Sequence, residues 1–237
     1  MLSLFTLNLW RYYDFEKRLP NIISCLNKYQ PDIIFFQETQ IDPSHSPFSQ
    51  IEQIKKQILS HQFSFQSTIY LKKSQRGKTL ETPVQHGVAV LSKYPIINGF
   101  EYYVTPNQNE NEPRSILCLD IEKDNQILKL ANIHLANQED WAKKQLREFL
   151  NFIHSRNEQR IMAGDFNLYN LKNYQKLLQG YELSNIFKPY ISYPKDNWCL
   201  DYILIPNIYS FQTLEINNTY LSDHKGIFTV IKTNQQS

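Results

Sequence analysis

The chain has 237 residues and a mass of 28.2 kDa, and its 25 Lys and Arg against 23 Asp and Glu leave a formal charge of only +2. A length of this order suits one large domain, residues 1–237, with a sizeable core; so small a charge excludes both a polybasic nucleic-acid coat and a disordered acidic tail. With only 6 glycines and no GxGxxG or GxxxxGKS run, a glycine-rich phosphate cradle is excluded too.

The apolar run Leu2 to Leu7 has no basic stretch before it and no small-residue cleavage site after it, so it reads as a strand and not as a secretion signal. Phe15, Leu19, Ile22, Ile23 and Leu26 then form a helical stripe, with Asp14 as the expected N-cap and Pro20 either in the first turn or at a kink. Ile33 to Phe36 is a second strand, and Ile51, Ile54, Ile58 and Leu59 make a second helical stripe. Between the strand-like Phe63 to Tyr70 and Val88 to Leu91 lie Lys72, Lys73, Arg76 and Lys78, the one dense basic cluster, read as a solvated loop unless it faces a nucleic-acid backbone. Ile116 to Ile121 and Leu128 to Ile133 follow as strands. Ala142, Leu146, Phe149, Leu150 and Ile153 form a third helix, Ile161 to Ala163 a strand, and Leu171, Tyr174, Leu177 and Leu178 a short fourth helix. Tyr202 to Ile205 and Ile227 to Ile231 complete the strands.

Several of these strands are apolar on consecutive residues, which predicts sheets covered on both faces. Helices alternate with some strands while other strands follow one another directly, so the chain reads as α/β or α+β. No repeat, low-complexity segment or linker divides it, and no run approaches the 18 apolar residues of a membrane span. Cys25, Cys118 and Cys199 are odd in number and widely spaced, fitting neither a disulfide framework nor a CxxC metal site. The expectation is an intracellular, cytoplasmic protein, monomeric and without membrane insertion.

Polar residues suited to binding a metal or moving a proton stand at the strand ends. Asn8 follows the first strand, Glu38 the second, His134 follows Leu128 to Ile133, and Asp165 with Asn167 follows Ile161 to Ala163. Asp201 opens the Tyr202 strand, and Asp223-His224 precede the last one. Taken singly, each has an ordinary reading: Glu38 as a solvated carboxylate, Asp165 as the head of an Asx turn, His134 as a structural histidine, Ser222-Asp223-His224 as a plain loop. Gathered on one rim, they would make a hard-cation site beside an acid/base group.

The segments Thr6-Leu7-Asn8-Leu9-Trp10, Pro31-Asp32 through Gln37-Glu38-Thr39, Gly87 to Ile96, Asn132-Ile133-His134-Leu135, Gly164-Asp165-Phe166-Asn167, Leu200 to Leu204 and Ser222-Asp223-His224 together resemble the endonuclease/exonuclease/phosphatase superfamily, which includes deoxyribonuclease I. The resemblance implies a four-layered sandwich, two packed mixed β-sheets flanked by helices, with a phosphoester-hydrolysing site at one edge and a divalent metal, usually Mg²⁺ and alternatively Mn²⁺. It implies Glu38 as principal metal ligand, Asn8 as a metal or phosphate contact, Asp223 as a ligand direct or through water, His224 as the catalytic histidine and Asp201 as the carboxylate orienting it. His224 would take the proton of the attacking water, while His134 and Asn167 would stabilise charge on the phosphoryl oxygens. Asp165 either orients the nucleophile or ligates a second metal. Arg114 in Pro113-Arg114-Ser115 is either a phosphate contact or a surface ion pair.

Two departures bear on the substrate. Leu9-Trp10-Arg11 replaces the Asn-Gly or Asp-Gly step of apurinic endonucleases, and Trp198-Cys199-Leu200 lacks the basic residue common before the Asp-Tyr pair. Nucleic acid ranks first as the phosphoester partner, with Trp10, Tyr12, Tyr13, Tyr102 and Tyr103 as stacking candidates and His86 as a further residue near the site. Phospholipid head groups or inositol phosphates come second, and a catalytically silent binding module third.

Overall fold

The computed structural model describes residues 1–73, 79–108, 110 and 112–234, with side chains for all of these except 72, 73 and 79–83. The basic side chains of Lys72, Lys73, Arg76 and Lys78 therefore lie outside the described residues. In chain order the elements are β1 (Leu2–Asn8), α1 (Phe15–Tyr29), β2 (Ile33–Ile41), α2 (Gln50–Lys55), β3 (Phe63–Lys73), β4 (Thr79–Ser92), β5 (Ile96–Tyr103), β6 (Ser115–Lys123), β7 (Gln126–His134) and α3 (Glu139–Ser155). There follow β8 (Ile161–Asp165), β9 (Tyr181–Leu183), α4 (Ser184–Phe187), β10 (Asp201–Pro206), β11 (Tyr209–Ile216) and β12 (Ile227–Thr233).

Strand alternation decides the layering. Along β2, Ile33 and Phe35 face a cluster with Leu4, Val90, Leu119, Leu130 and Ile203, drawn from both sheets. Ile34 and Phe36 turn the other way, onto Phe15, Ile22 and Leu26 of α1 and Ile54 of α2. On β7, Leu128 and Leu130 face inward, whereas Ala131 and Ile133 meet Leu146, Phe149 and Ile153 of α3. Because successive side chains point to opposite faces, a run apolar at every position must be covered on both. The result is the expected sandwich of two mixed sheets between helical layers.

Both sheets have six strands, in the orders β11-β12-β1-β2-β4-β3 and β5-β6-β7-β8-β10-β9. The pairing senses match position by position, with one parallel pair at each centre, β1 with β2 and β7 with β8. Each parallel pair is joined through a helix, α1 or α3. The chain thus repeats a topology that its residues do not repeat. Among the described residues no helix is long and apolar enough to cross a membrane.

Local differences from the expectation have physical causes. Asp14 does not cap α1 through its side chain: it sits in the left-handed region, and its carboxylate bonds no helix amide but takes Lys17 Nζ at 3.2 Å. Leu59 is 84% exposed, because α2 ends at Lys55 and the chain has left the helix before reaching it. The stripe from Leu171 to Leu178 yields one turn of 3-10 helix, Leu171–Tyr174. Three strands escaped periodicity: β5 carries Asn98-Gly99 on a half-exposed edge, β9 is 3 residues long, and a bulge between Phe211 and Thr213 breaks the alternation of β11.

Gly164 shows how tightly the centre is built. It has φ +141°, and a Cβ there would come within 2.1 Å of the Ile133 carbonyl oxygen on the paired strand β7. Neither the conformation nor the contact admits a side chain. Gly164→Ala should cost about 3 kcal/mol or more of stability, measured by urea unfolding, and should lower activity through the displaced Asp165.

Candidate active site

A parallel βαβ pair presents its carboxyl ends as the natural place for a site, and this sandwich has two such ends on one rim. Asn8 ends β1, His134 ends β7, and Asp165 ends β8 directly opposite His134. The antiparallel neighbours bring their starts to the same rim: Asp201 opens β10 in register with Asp165, Arg114 precedes β6, and Asp223-His224 precede β12.

Glu38 lies within β2, not after it. Two residues of β2, Gln37 and Glu38, oppose Val88 alone on β4, a β-bulge that puts Glu38 at φ 52°. The bulge turns its carboxylate toward the rim, where Oε1 stands 3.8 Å from His134 Nε2 and Oε2 accepts from Arg11 Nε at 3.2 Å. Behind it, the fully buried Asn132 donates to the carbonyls of Phe36 (3.0 Å) and Ala89 (2.9 Å) and accepts from Gln37 at 2.7 Å.

His224 Nδ1 and Asp201 Oδ2 are 2.8 Å apart, and His224 Nε2 faces Asp165 Oδ2 at 3.9 Å. Burial opposes a charge on His224, but the field and hydrogen bond of Asp201, with Asp165 and Asp223 nearby, raise its pKa to about 10. Burial and the Asp201 charge push the Asp165 carboxyl up, and burial does the same to Asp223. Ser192, fully buried, positions the pair: its hydroxyl accepts from the amides of Leu200 and Asp201, and its carbonyl accepts from Lys225. No motif marked it.

Asp165 heads an Asx turn and also bonds across the sheets. Its Oδ1 accepts the Asn167 amide at 2.9 Å, an Asx turn, while Oδ2 accepts from Asn8 Nδ2 at 3.0 Å. Asn8 is itself aimed by the Trp10 amide on its Oδ1, so one amide side chain ties the two sheets together. Asn167 donates to Leu135 O and reaches Asn137, beside the same turn. Burial and the Arg114 guanidinium keep His134 well below its usual pKa and so neutral. Arg114 Nη1 lies 2.8 Å from His134 Nε2. Arg114 is buried, not a surface ion pair. The expected site residues Asn8, Glu38, Arg114, His134, Asp165, Asn167, Asp201 and His224 thus join one network of contacts. Asp223 bonds Ser222 Oγ and enters through its charge, felt by His224.

Arg18 is a second residue that the pattern missed, because a charge stands on the apolar face of α1. Fully buried, it donates to the carbonyls of Arg11 and Tyr13 in the β1–α1 loop and of Leu221 next to Ser222-Asp223-His224. Of the expected stacking aromatics, Tyr102 packs on Phe149 and Phe152, Tyr12 on Phe15 and His45, and Trp10 on Tyr13. A further stack, outside the expected set and with both rings exposed, is Tyr169 and Trp198, with centroids 5.3 Å apart.

The donors fit a hard divalent cation. Glu38, Asp165, Asp201 and Asp223 offer carboxylate oxygens, and Asp201 Oδ1 is buried without a partner. Asp165, Asp201 and His224 each bring a ligand atom within 4.8 Å of the others. With Nδ1 of His224 already on Asp201, oxygen ligands from Glu38 and Asp165 are the natural holders, and Mg²⁺ or Mn²⁺ suits them better than a soft metal. In the metal-free protein His224 should remain an imidazolium at pH 8, and Asp201→Asn should bring its pKa down by at least about one unit, both read from the imidazole NMR shifts across pH.

Residues 5–224 match the profile of the Endonuclease/Exonuclease/phosphatase family. Comparison with curated proteins finds no match. Among solved structures, an endonuclease/exonuclease/phosphatase from Beutenbergia cavernae DSM 12333 aligns with a TM-score of 0.80 at 16% identity, over 98% of this chain and 71% of that one. A family protein from Leptotrichia buccalis C-1013-b gives 0.77 at 17% identity, over 98% and 100%. D. rerio TDP2 complexed with single strand DNA product gives 0.73 at 17%, over 98% and 99%. These likenesses concern the fold; the profile match spans nearly the whole chain, and the protein belongs to the endonuclease/exonuclease/phosphatase family, a family of phosphoester hydrolases.

Proposed function

We propose that the protein is a divalent-cation-dependent phosphodiesterase that cleaves nucleic acid. The observation that carries this reading is the meeting across two sheets of Glu38 with His134, and of Asp165 with both His134 and the Asp201 and His224 pair. A bound cation would neutralise charge on the phosphoryl oxygens. The chain's own groups do the rest.

Water held between His224 Nε2 and Asp165 Oδ2 is in reach of both, so Asp165 orients it and Nε2 takes its proton. Asp201 fixes the tautomer and stabilises the resulting imidazolium. In the free protein the carboxylates already hold His224 protonated, so it can act as a base only once that field is offset. Arg114, which donates to neutral His134, and the Asn167 amide are placed to donate to the phosphoryl oxygens. Nucleic acid is favoured over lipid or inositol phosphate by the stack of Tyr169 and Trp198, which flanks Asn167 and Asp201 in sequence and offers an exposed aromatic face to a base. TDP2, with the same fold, is seen with single-stranded DNA.

The test is a panel of single- and double-stranded DNA, RNA, tyrosyl-DNA, sphingomyelin and inositol phosphates with Mg²⁺, Mn²⁺ or EDTA. Cleavage of a nucleic-acid substrate, abolished by EDTA and lowered about 10²- to 10⁴-fold by His224→Ala, is the expected result. Release of phosphocholine or inorganic phosphate alone would transfer the protein to the lipid or inositol class. Activity unchanged by both Glu38→Ala and His224→Ala would end the enzymatic reading.

A further inference from the structure

On the His134 side of the reaction centre, two arginines and an imidazole close around a carboxylate that the proposed mechanism does not use. Arg11 Nη2 lies 2.7 and 2.8 Å from the two oxygens of Glu112. Arg114 Nη2 and His86 Nε2 approach Glu112 Oε2 at 3.9 and 3.7 Å. Glu112, Arg114 and His86 are buried and Arg11 nearly so. The same arginines also touch the reaction centre, Arg11 through Glu38 and Arg114 through His134.

His86 is an independent sign that this arrangement awaits a ligand. It is 3% exposed, and neither ring nitrogen makes a hydrogen bond. A fold rarely leaves a buried polar group so without a use. Next to it, a cavity of about 20 Å³ is lined by His86, Arg114, His134 and Ser67, room for about one water-sized group. A carboxylate fills the guanidinium with two oxygens. A phosphate brings a third oxygen and more charge to a place with an idle imidazole and a second arginine.

We propose that Arg11, Arg114 and His86 form a subsite for a second phosphate of the substrate, adjacent to the scissile one. Glu112 occupies it as an internal competitor that this phosphate displaces. The word substrate rests on the proposed function; the anion subsite rests on the geometry alone. The second phosphate belongs either to a neighbouring nucleotide or to a small bisphosphate.

Binding of inorganic phosphate and pyrophosphate is measured by calorimetry in EDTA, without turnover. A competitor that fills a site nine parts in ten weakens apparent affinity about tenfold, so Glu112→Gln, close in shape and uncharged, should bind about tenfold more tightly than wild type. Adding Arg11→Gln or His86→Gln to it should remove most of the gain. Glu182→Gln, which deletes the same charge on the edge strand β9, should bind as wild type does. No gain in Glu112→Gln, or a gain that survives Arg11→Gln, overturns the subsite. In turnover, Glu112→Gln should lower the KM of a dinucleotide bearing a terminal phosphate and not of one lacking it. A fall seen with a small bisphosphate and not with the dinucleotide assigns the second phosphate to that source, and equal shifts for all substrates overturn the proposal. Failure of phosphate binding leaves hydrolysis by Glu38 and His224 standing, and an inactive panel leaves the metal-free binding standing, so the two readings fail separately.

Discussion

Asn132 holds the working rim together. The bulge that aims Glu38 interrupts the pairing of β2 with β4, and Asn132, from the opposite sheet, supplies both of its amide hydrogens to the carbonyls of Phe36 and Ala89 at that point. Its oxygen takes Gln37, which in turn bonds Thr6 on β1. Each buried carbonyl left unmatched would cost about 1–3 kcal/mol, and no apolar residue, nor Asp, presents two donors and an acceptor in this shape. Two residues further along the same strand stands His134. One side chain therefore fixes the distance between a residue of each sheet, which is what a site built across two sheets requires.

The repeated topology explains why so many strands contribute. Each sheet places a parallel pair at its centre, and carboxyl ends of parallel strands leave a crevice. Facing two such sheets puts both crevices on one rim, and antiparallel neighbours deliver their first residues there. Asn8, Glu38, His134 and Asp165 come from strand ends or the bulge, while Arg114, Asp201 and His224 come from strand starts. A single sheet could not surround a phosphate in this way, since its side chains would approach from one side only.

Strand cores and helix stripes were legible in the sequence because they repeat with period two or 3.6, and the site residues because they stood next to such runs. What stayed hidden has no period. Ser192 and Arg18 act by bonding backbone carbonyls and amides of distant segments, Arg18 across 203 positions to Leu221. Asn132 stood inside a quoted motif, but its role depends on a bulge in another strand. Tyr169 and Trp198 form a stack only because the segments after β8 and before β10 meet. Glu38 was placed after a strand because its β2 run stops being apolar at Gln37, although hydrogen-bonded pairing continues to Ile41.

The net charge of +2 was silent about function because the charge is segregated, not absent. Asp165, Asp201 and Asp223 crowd around His224, and burial together with like charge lifts Asp165 and Asp223. Carboxylates elsewhere are matched in the ordinary way, Asp120 by Arg160 and Asp32 by Lys93. At the site the matching is incomplete, with Asp201 Oδ1 bare and the guanidiniums of Arg11 and Arg114 on the Glu38 and His134 side. Phosphate approaching the carboxylate side of such a site would be repelled unless the proposed cation offset that charge, so affinity would not come from a general attraction to the surface. A cation that binds the folded state and not the unfolded one relieves this repulsion and adds stability by mass action. The free protein thus carries an electrostatic cost that binding of the proposed cation would remove, and the apolar layers on both faces of each sheet keep it folded meanwhile.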